Sequence, residues 1–92
     1  MNELKDRQDM LRGAQAQEVL DNPIYQEAYT ALRADLFEKF QSTKFRQHEE
    51  RDEIWRKLQV VDFIENYMRK TMVDGKFAEK TLMQKGKKLM GL

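Results

Sequence analysis

Cysteine is absent from this chain, which excludes disulfide staples and thiolate metal sites. Histidine occurs once, so no histidine pair exists to hold a metal. One proline and four glycines leave little turn material, which favours long helices over a sheet. No run of about 18 apolar residues occurs, so no membrane-spanning helix is expected. The opening Met1-Asn2-Glu3-Leu4-Lys5-Asp6 lacks the basic start and apolar stretch of a signal peptide. A cytoplasmic location is the corresponding expectation. There is no Gly-rich phosphate loop and no nucleophile motif.

What is present is a lean, mixed-charge composition: 36% charged and 40% hydrophobic residues, with a net charge of +1. Ninety-two residues allow one domain with a modest core. Without disulfides or metal, partner chains are the expected extra source of stability.

The periodicity predicts three helices and a tail. A first helix covers 2–20, with Asn2 as its cap and Glu3 and Asp6 suited to its positive end. Its apolar residues fall on no clean stripe, and Gly13 weakens it by about 1 kcal/mol relative to alanine. Asp21-Asn22-Pro23 is the clearest punctuation: Asn22 caps and Pro23 occupies the first helical position of a second helix. That helix is expected to run to Gln41, with Tyr25, Ala28, Tyr29, Leu32, Leu36 and Phe40 on one face. After a link at 42–47, a third helix is expected from Gln47 to Asp74, with Gly75 as a left-handed stop. Acids crowd its start and Arg69 and Lys70 lie near its end, matching the helix dipole. The pairs Asp52–Arg56, Glu53–Lys57 and Glu65–Arg69 have favourable i,i+4 spacing.

The apolar surface of the third helix is wide. Ile54, Leu58, Val61, Met68 and Met72 make one stripe. Val60, Phe63, Ile64 and Tyr67 widen it to about 220° of arc. One antiparallel neighbour covers about half of that, so the rest needs the first helix, the C-terminal segment or another subunit. Residues 76–92 read as a separate basic tail of charge +4, against −3 for residues 1–75.

Several residues invite a chemical reading. His48 and Asp52 stand four apart, but a zincin site needs histidine at both positions; the ordinary reading is a solvated helix start. The acids show no pair set apart in an apolar pocket for acid–base work, and a hairpin this small offers little room for a substrate. The expectation is a non-enzyme with no cofactor, no metal and no small-molecule substrate. Lys80, Lys85, Lys87 and Lys88 would attract phosphates, although no nucleic-acid motif accompanies them and a solvating end is the ordinary reading. A second membrane-anchoring signal is missing. Trp55 is either an interface anchor or packs against the first helix or Phe45. Tyr25, Tyr29, Phe40, Phe63 and Tyr67 read as core. Met68, Met72, Met83 and Met90 suit either gap filling or an adaptable contact surface.

The segment Asp21-Asn22-Pro23-Ile24-Tyr25-Gln26-Glu27-Ala28-Tyr29 resembles the opening of a family of small tailed-bacteriophage proteins. Arg51-Asp52-Glu53-Ile54-Trp55-Arg56-Lys57-Leu58 and Asp74-Gly75-Lys76-Phe77-Ala78 resemble its later parts. The likeness covers roughly residues 14–80. The link Ser42-Thr43-Lys44-Phe45-Arg46-Gln47 departs from the family pattern, lacking its proline or small residues. The resemblance implies a viral helical protein encoded near head and packaging genes, and supplies no catalytic residues.

The resulting expectation is an all-α antiparallel hairpin (23–75) with an N-terminal helix or arm (1–22) and a short basic helix or tail (76–92). Its expected role is protein–protein contact: self-association or docking on a larger assembly in the bacterial host cell or the virion. Trp55, Val60, Phe63 and Tyr67 are the expected interface. The alternatives are a nucleic-acid-binding accessory protein working through the lysine tail, and a small inhibitor of a host protein.

Overall fold

The computed structural model describes residues 2–91. These are all-helical: α1 spans Glu3–Asp21, α2 spans Pro23–Ser42 and α3 spans His48–Leu89. No strand occurs among the described residues, and no helix among them is long and apolar enough to cross a membrane. The chain divides into two compact units. One is Asp21–Asn66; the other combines residues up to Leu20 with those from Tyr67 onward. Helix α3 contributes to both.

The helix starts follow the sequence. The Asn2 side chain accepts from the Lys5 N–H at 3.2 Å. Asn22 accepts from the N–H groups of Ile24 and Tyr25 at 2.9 and 3.1 Å. Pro23 sits where no N–H is needed. Between α2 and α3, the Thr43 hydroxyl donates to the Phe40 carbonyl, and the Gln47 side chain accepts from the Lys44 N–H at 2.7 Å.

The third helix does not stop at Gly75. It continues through the expected tail to Leu89, and Gly91 alone among the described residues has a positive φ. Gly75 is used for close packing instead. In the unit that contains α1, a Cβ built on Gly75 would lie 2.7 Å from the Gly13 Cα and 2.8 Å from the Asp9 carbonyl oxygen. Only glycine permits this approach of two backbones. Ala16 and Ala78 are buried beside it, as is Leu20. Thus the buried face of α1 is Gly13, Ala16 and Leu20, while Leu4, Leu11 and Val19 stay exposed; this is why its Leu, Met and Val residues form no clean stripe. Further along the same pair, Lys85 Nζ meets Asp6 at 3.8 Å. Arg12 donates to the Tyr67 hydroxyl at 3.3 Å.

In the other unit, α2 meets the first half of α3. Leu36 and Leu58 are buried, each contributing about 1.5–3 kcal/mol. Contacts descend along α3 as they ascend along α2: Tyr25 reaches Glu65, Tyr29 and Arg33 reach Asp62, and Phe40 reaches Trp55. The inward positions of α3 there are Ile54, Leu58, Val61 and Glu65, spaced four and three apart as in a heptad seam. Glu65 is the buried charged residue in this ladder, 7% exposed.

Candidate interaction surface

At about 100° per residue, the α2–α3 pair has two flanks of different character. Leu36 points at α3. Tyr29 and Arg33 lie to one side of it, Leu32 and Asp35 to the other.

The first flank is closed by a polar and aromatic seam. Asp62 accepts from the Tyr29 hydroxyl at 2.9 Å and from Arg33 Nε at 3.0 Å. Arg33 Nη2 adds a contact of 3.3 Å to the second carboxylate oxygen. The bonds from Arg33 and then from Tyr29 hold the Asp62 carboxyl below its ordinary value of 3.8. Partial burial, reinforced by Asp62, pushes the Tyr29 phenol above its ordinary 10.0. The Tyr25 hydroxyl donates to Glu65, and the Tyr25 and Tyr29 rings stack at 6.3 Å. Lower on this flank the Phe40 ring lies between Arg51, at 4.8 Å, and Trp55, at 6.0 Å. The cation over the ring face adds a modest attraction. This settles where Trp55 packs: it leans on Phe40, not on Phe45, which meets His48 edge-on.

The second flank is open and apolar. Leu32, Leu36, Val60 and Val61 line a groove of about 350 Å³, with Arg56 and Lys57 at its rim. Leu32, Val60 and Ile64 stay 47%, 59% and 52% exposed. Lys57 pairs with Glu53 at 3.3 Å and Asp35 with Lys39 at 2.9 Å. The α2 edge therefore reads acid then base, and the α3 edge base then acid at matching heights.

Of the expected interface residues, Val60 and Phe63 are exposed within about 60° of arc on α3, and Trp55 lies apart from them. Val60 lines the groove. Trp55 belongs to the opposite flank, with about half its surface exposed. Phe63 is exposed on the side of α3 turned away from α2, and is not core. Tyr67 is likewise exposed rather than core, and falls in the unit with α1. Leu32 and Ile64 share the groove flank but were absent from the sequence-based set. Their signal was available: Leu32 stands seven residues from Tyr25 and Ile64 four from Val60.

The expected phosphate-binding lysines are also divided. Lys85 turns inward to Asp6. Lys88 borders a hollow with Asn2, Glu3, Leu4 and Leu89. Lys80 and Lys87 are exposed on the outer side of α3. His48 is exposed at the start of α3, and among the described residues no group of three or more His, Asp or Glu side chains is placed to hold a metal ion.

Compared with known proteins, the chain matches no family model, and no curated protein and no solved structure is significantly similar to it.

Proposed function

We propose that the chain is a non-enzymatic assembly module: α2 and α3 form an antiparallel hairpin whose open groove takes a second copy of the same hairpin. The observation that carries this reading is the self-complementary charge order around exposed apolar side chains. A two-fold axis parallel to the helices sets α2 of one copy beside α3 of the other at the same height. Leu32 then meets Val60 of the second copy, Asp35 meets Lys57, and Lys39 meets Glu53. Each helix gains a second antiparallel neighbour, giving the coiled-coil packing of a four-helix bundle. Burying Leu32, Val60 and Ile64 on both sides supplies the apolar centre that such an interface needs.

The setting we propose is a phage virion or packaging assembly inside the bacterial host. It is supported by the resemblance of residues 21–29 and 51–58 to small phage proteins. Self-association fits such a role, because virion parts are built from repeated copies.

The test is solution mass by light scattering during size exclusion, over a range of concentrations. The wild-type chain should give a dimer mass. Val60→Asp should give a monomer with unchanged helicity by circular dichroism. A monomeric wild type at high micromolar concentration, or a dimer untouched by Val60→Asp, sinks the reading.

A further inference from the structure

Past Tyr67, helix α3 has two faces with different chemistry. The inner face meets α1 through Gly75 and Ala78 and ends in the Lys85–Asp6 pair. On the opposite face, residues recur every third or fourth position: Arg69, Val73, Lys76, Lys80, Met83 and Lys87. All six are exposed. At about 100° per residue they fall within about 80° of arc. The two acids of this stretch, Asp74 and Glu79, fall outside that arc, and Asp74 is taken up by Lys70 at 2.8 Å. Lys76, Lys80 and Lys87 thus stand in one row with no acid among them, and Arg69, which makes an interaction of its own, begins it. At 1.5 Å per residue the row is about 27 Å long.

We propose that this row is a nucleic-acid-binding face that reads the phosphate backbone without regard to sequence. The unit with α1 carries the positive charge of the chain: residues 1–20 and 67–92 together hold ten Lys and Arg against six acids. A regular row of cations on a straight helix is the electrostatic match of a phosphate strand. Distribution separates this from binding a lipid surface. An interfacial helix segregates a broad apolar face from its cations. Here the exposed apolar side chains are few and interspersed with cations: Val73 and Met83 stand on the row and Phe77 flanks it, which is not the broad apolar face that enters a bilayer. They serve instead as contacts for sugars and bases between the phosphates.

The face differs from the basic tail visible in the sequence. Lys85 leaves it, because that side chain is engaged with Asp6. Lys76 joins it, because α3 continues through Gly75.

The experiment is a fluorescence-anisotropy titration of the full chain with a 20-base-pair duplex and a 20-nucleotide single strand, from about 20 to 200 mM salt. Three phosphate contacts, from Lys76, Lys80 and Lys87, give a slope of log K against log salt of about −2 to −3. The double variant Lys80→Gln/Lys87→Gln should bring the slope down by about 2, with circular dichroism unchanged. Lys44→Gln/Arg46→Gln removes the same charge away from both the row and the groove and should keep the wild-type slope. No binding to either oligonucleotide at 20 mM salt overturns the proposal. So do equal slopes for the two double variants, or binding confined to phosphatidylserine vesicles.

Discussion

Gly13 and Gly75 lie so close that a Cβ built on either would stand 2.7 Å from the Cα of the other. Real side-chain carbons do not approach backbone this closely, so either alanine variant must push α1 off α3. Glycine normally weakens a helix by about 1 kcal/mol relative to alanine, and on propensity alone Gly75→Ala should stabilise. The packing predicts the opposite sign, with overpacking costing about 1–3 kcal/mol. Urea unfolding monitored by circular dichroism measures this. Gly86→Ala is the internal control: apart from its own stretch of helix, nothing lies within 4 Å of its Cβ position, so it should be neutral or stabilising. A stabilised Gly75→Ala chain would contradict the close approach.

Asp62 gives the acid behaviour of the α2–α3 pair. Its carboxyl is held below 3.8 by Arg33 first and Tyr29 second. A depressed carboxyl contributes stability that is complete above the unfolded value and is lost as pH falls through the folded one. That contribution should therefore be constant at neutral pH and decline below about pH 4. Asp62→Asn should lower stability at pH 7 and flatten the curve between about pH 4 and 2. The Tyr29 phenol, pushed above 10.0, predicts a second loss as pH rises beyond 10, and the same variant should weaken it. Thermal midpoints across pH check both arms. A parallel downward shift of the whole curve would mean that Asp62 does not titrate as argued.

The groove predicts a charge-swap rescue. If Asp35 faces Lys57 of a second copy, Asp35→Lys should weaken self-association and leave the single chain folded. Adding Lys57→Asp should restore the dimer, since the pair is merely inverted. Each such pair sits at a rim and is worth about 0.2–1 kcal/mol, doubled by symmetry. The expected change in dimer dissociation constant is about two- to thirty-fold. Sedimentation equilibrium resolves this. Failure of the second change to restore what the first removed would dissociate the two residues.

Much of the architecture was legible because local signals dominate it. Asn22 and Pro23 announce α2 by chemistry that acts within one turn, and Leu36, Leu58 and Ile54 obey simple helical spacing. What escaped depended on contacts far apart in sequence. Gly75 reads as a stop when seen alone; only Gly13, 62 positions away, explains why it lies inside a helix. The face of α1 was hidden for the same reason, since hydrophobicity counts large side chains and this contact uses Gly13 and Ala16 beside Leu20. Phe63 and Tyr67 were read as core because aromatic rings are usually covered. The seam that closes α2 against α3 instead uses Tyr25, Tyr29, Asp62 and Glu65, whose polar atoms pair across the helices. Lys85 could not be separated from Lys80 and Lys87 until Asp6 was placed beside it.

Glu65 occupies a position in the α3 ladder where the neighbours four and seven residues earlier are Val61 and Leu58. The ladder would be filled there by leucine if stability alone decided. Tyr25 donates its hydroxyl to Glu65, so Tyr25→Phe removes one hydrogen bond from a buried acid and should cost about 1–3 kcal/mol. Glu65→Leu removes the buried polar group itself, and replacements of this kind are often neutral or stabilising. The double variant Tyr25→Phe/Glu65→Leu should accordingly be more stable than Tyr25→Phe alone by at least the cost of the lost bond. A double-mutant cycle from urea midpoints gives that coupling directly. The gain in stability should come with a loss of uniqueness: a polar residue in a heptad seam fixes register. The double variant should therefore broaden the distribution of oligomer masses while its unfolding midpoint is at least that of the wild-type chain. A stabilised variant with a single, unchanged mass would leave Glu65 no role in specifying the pairing.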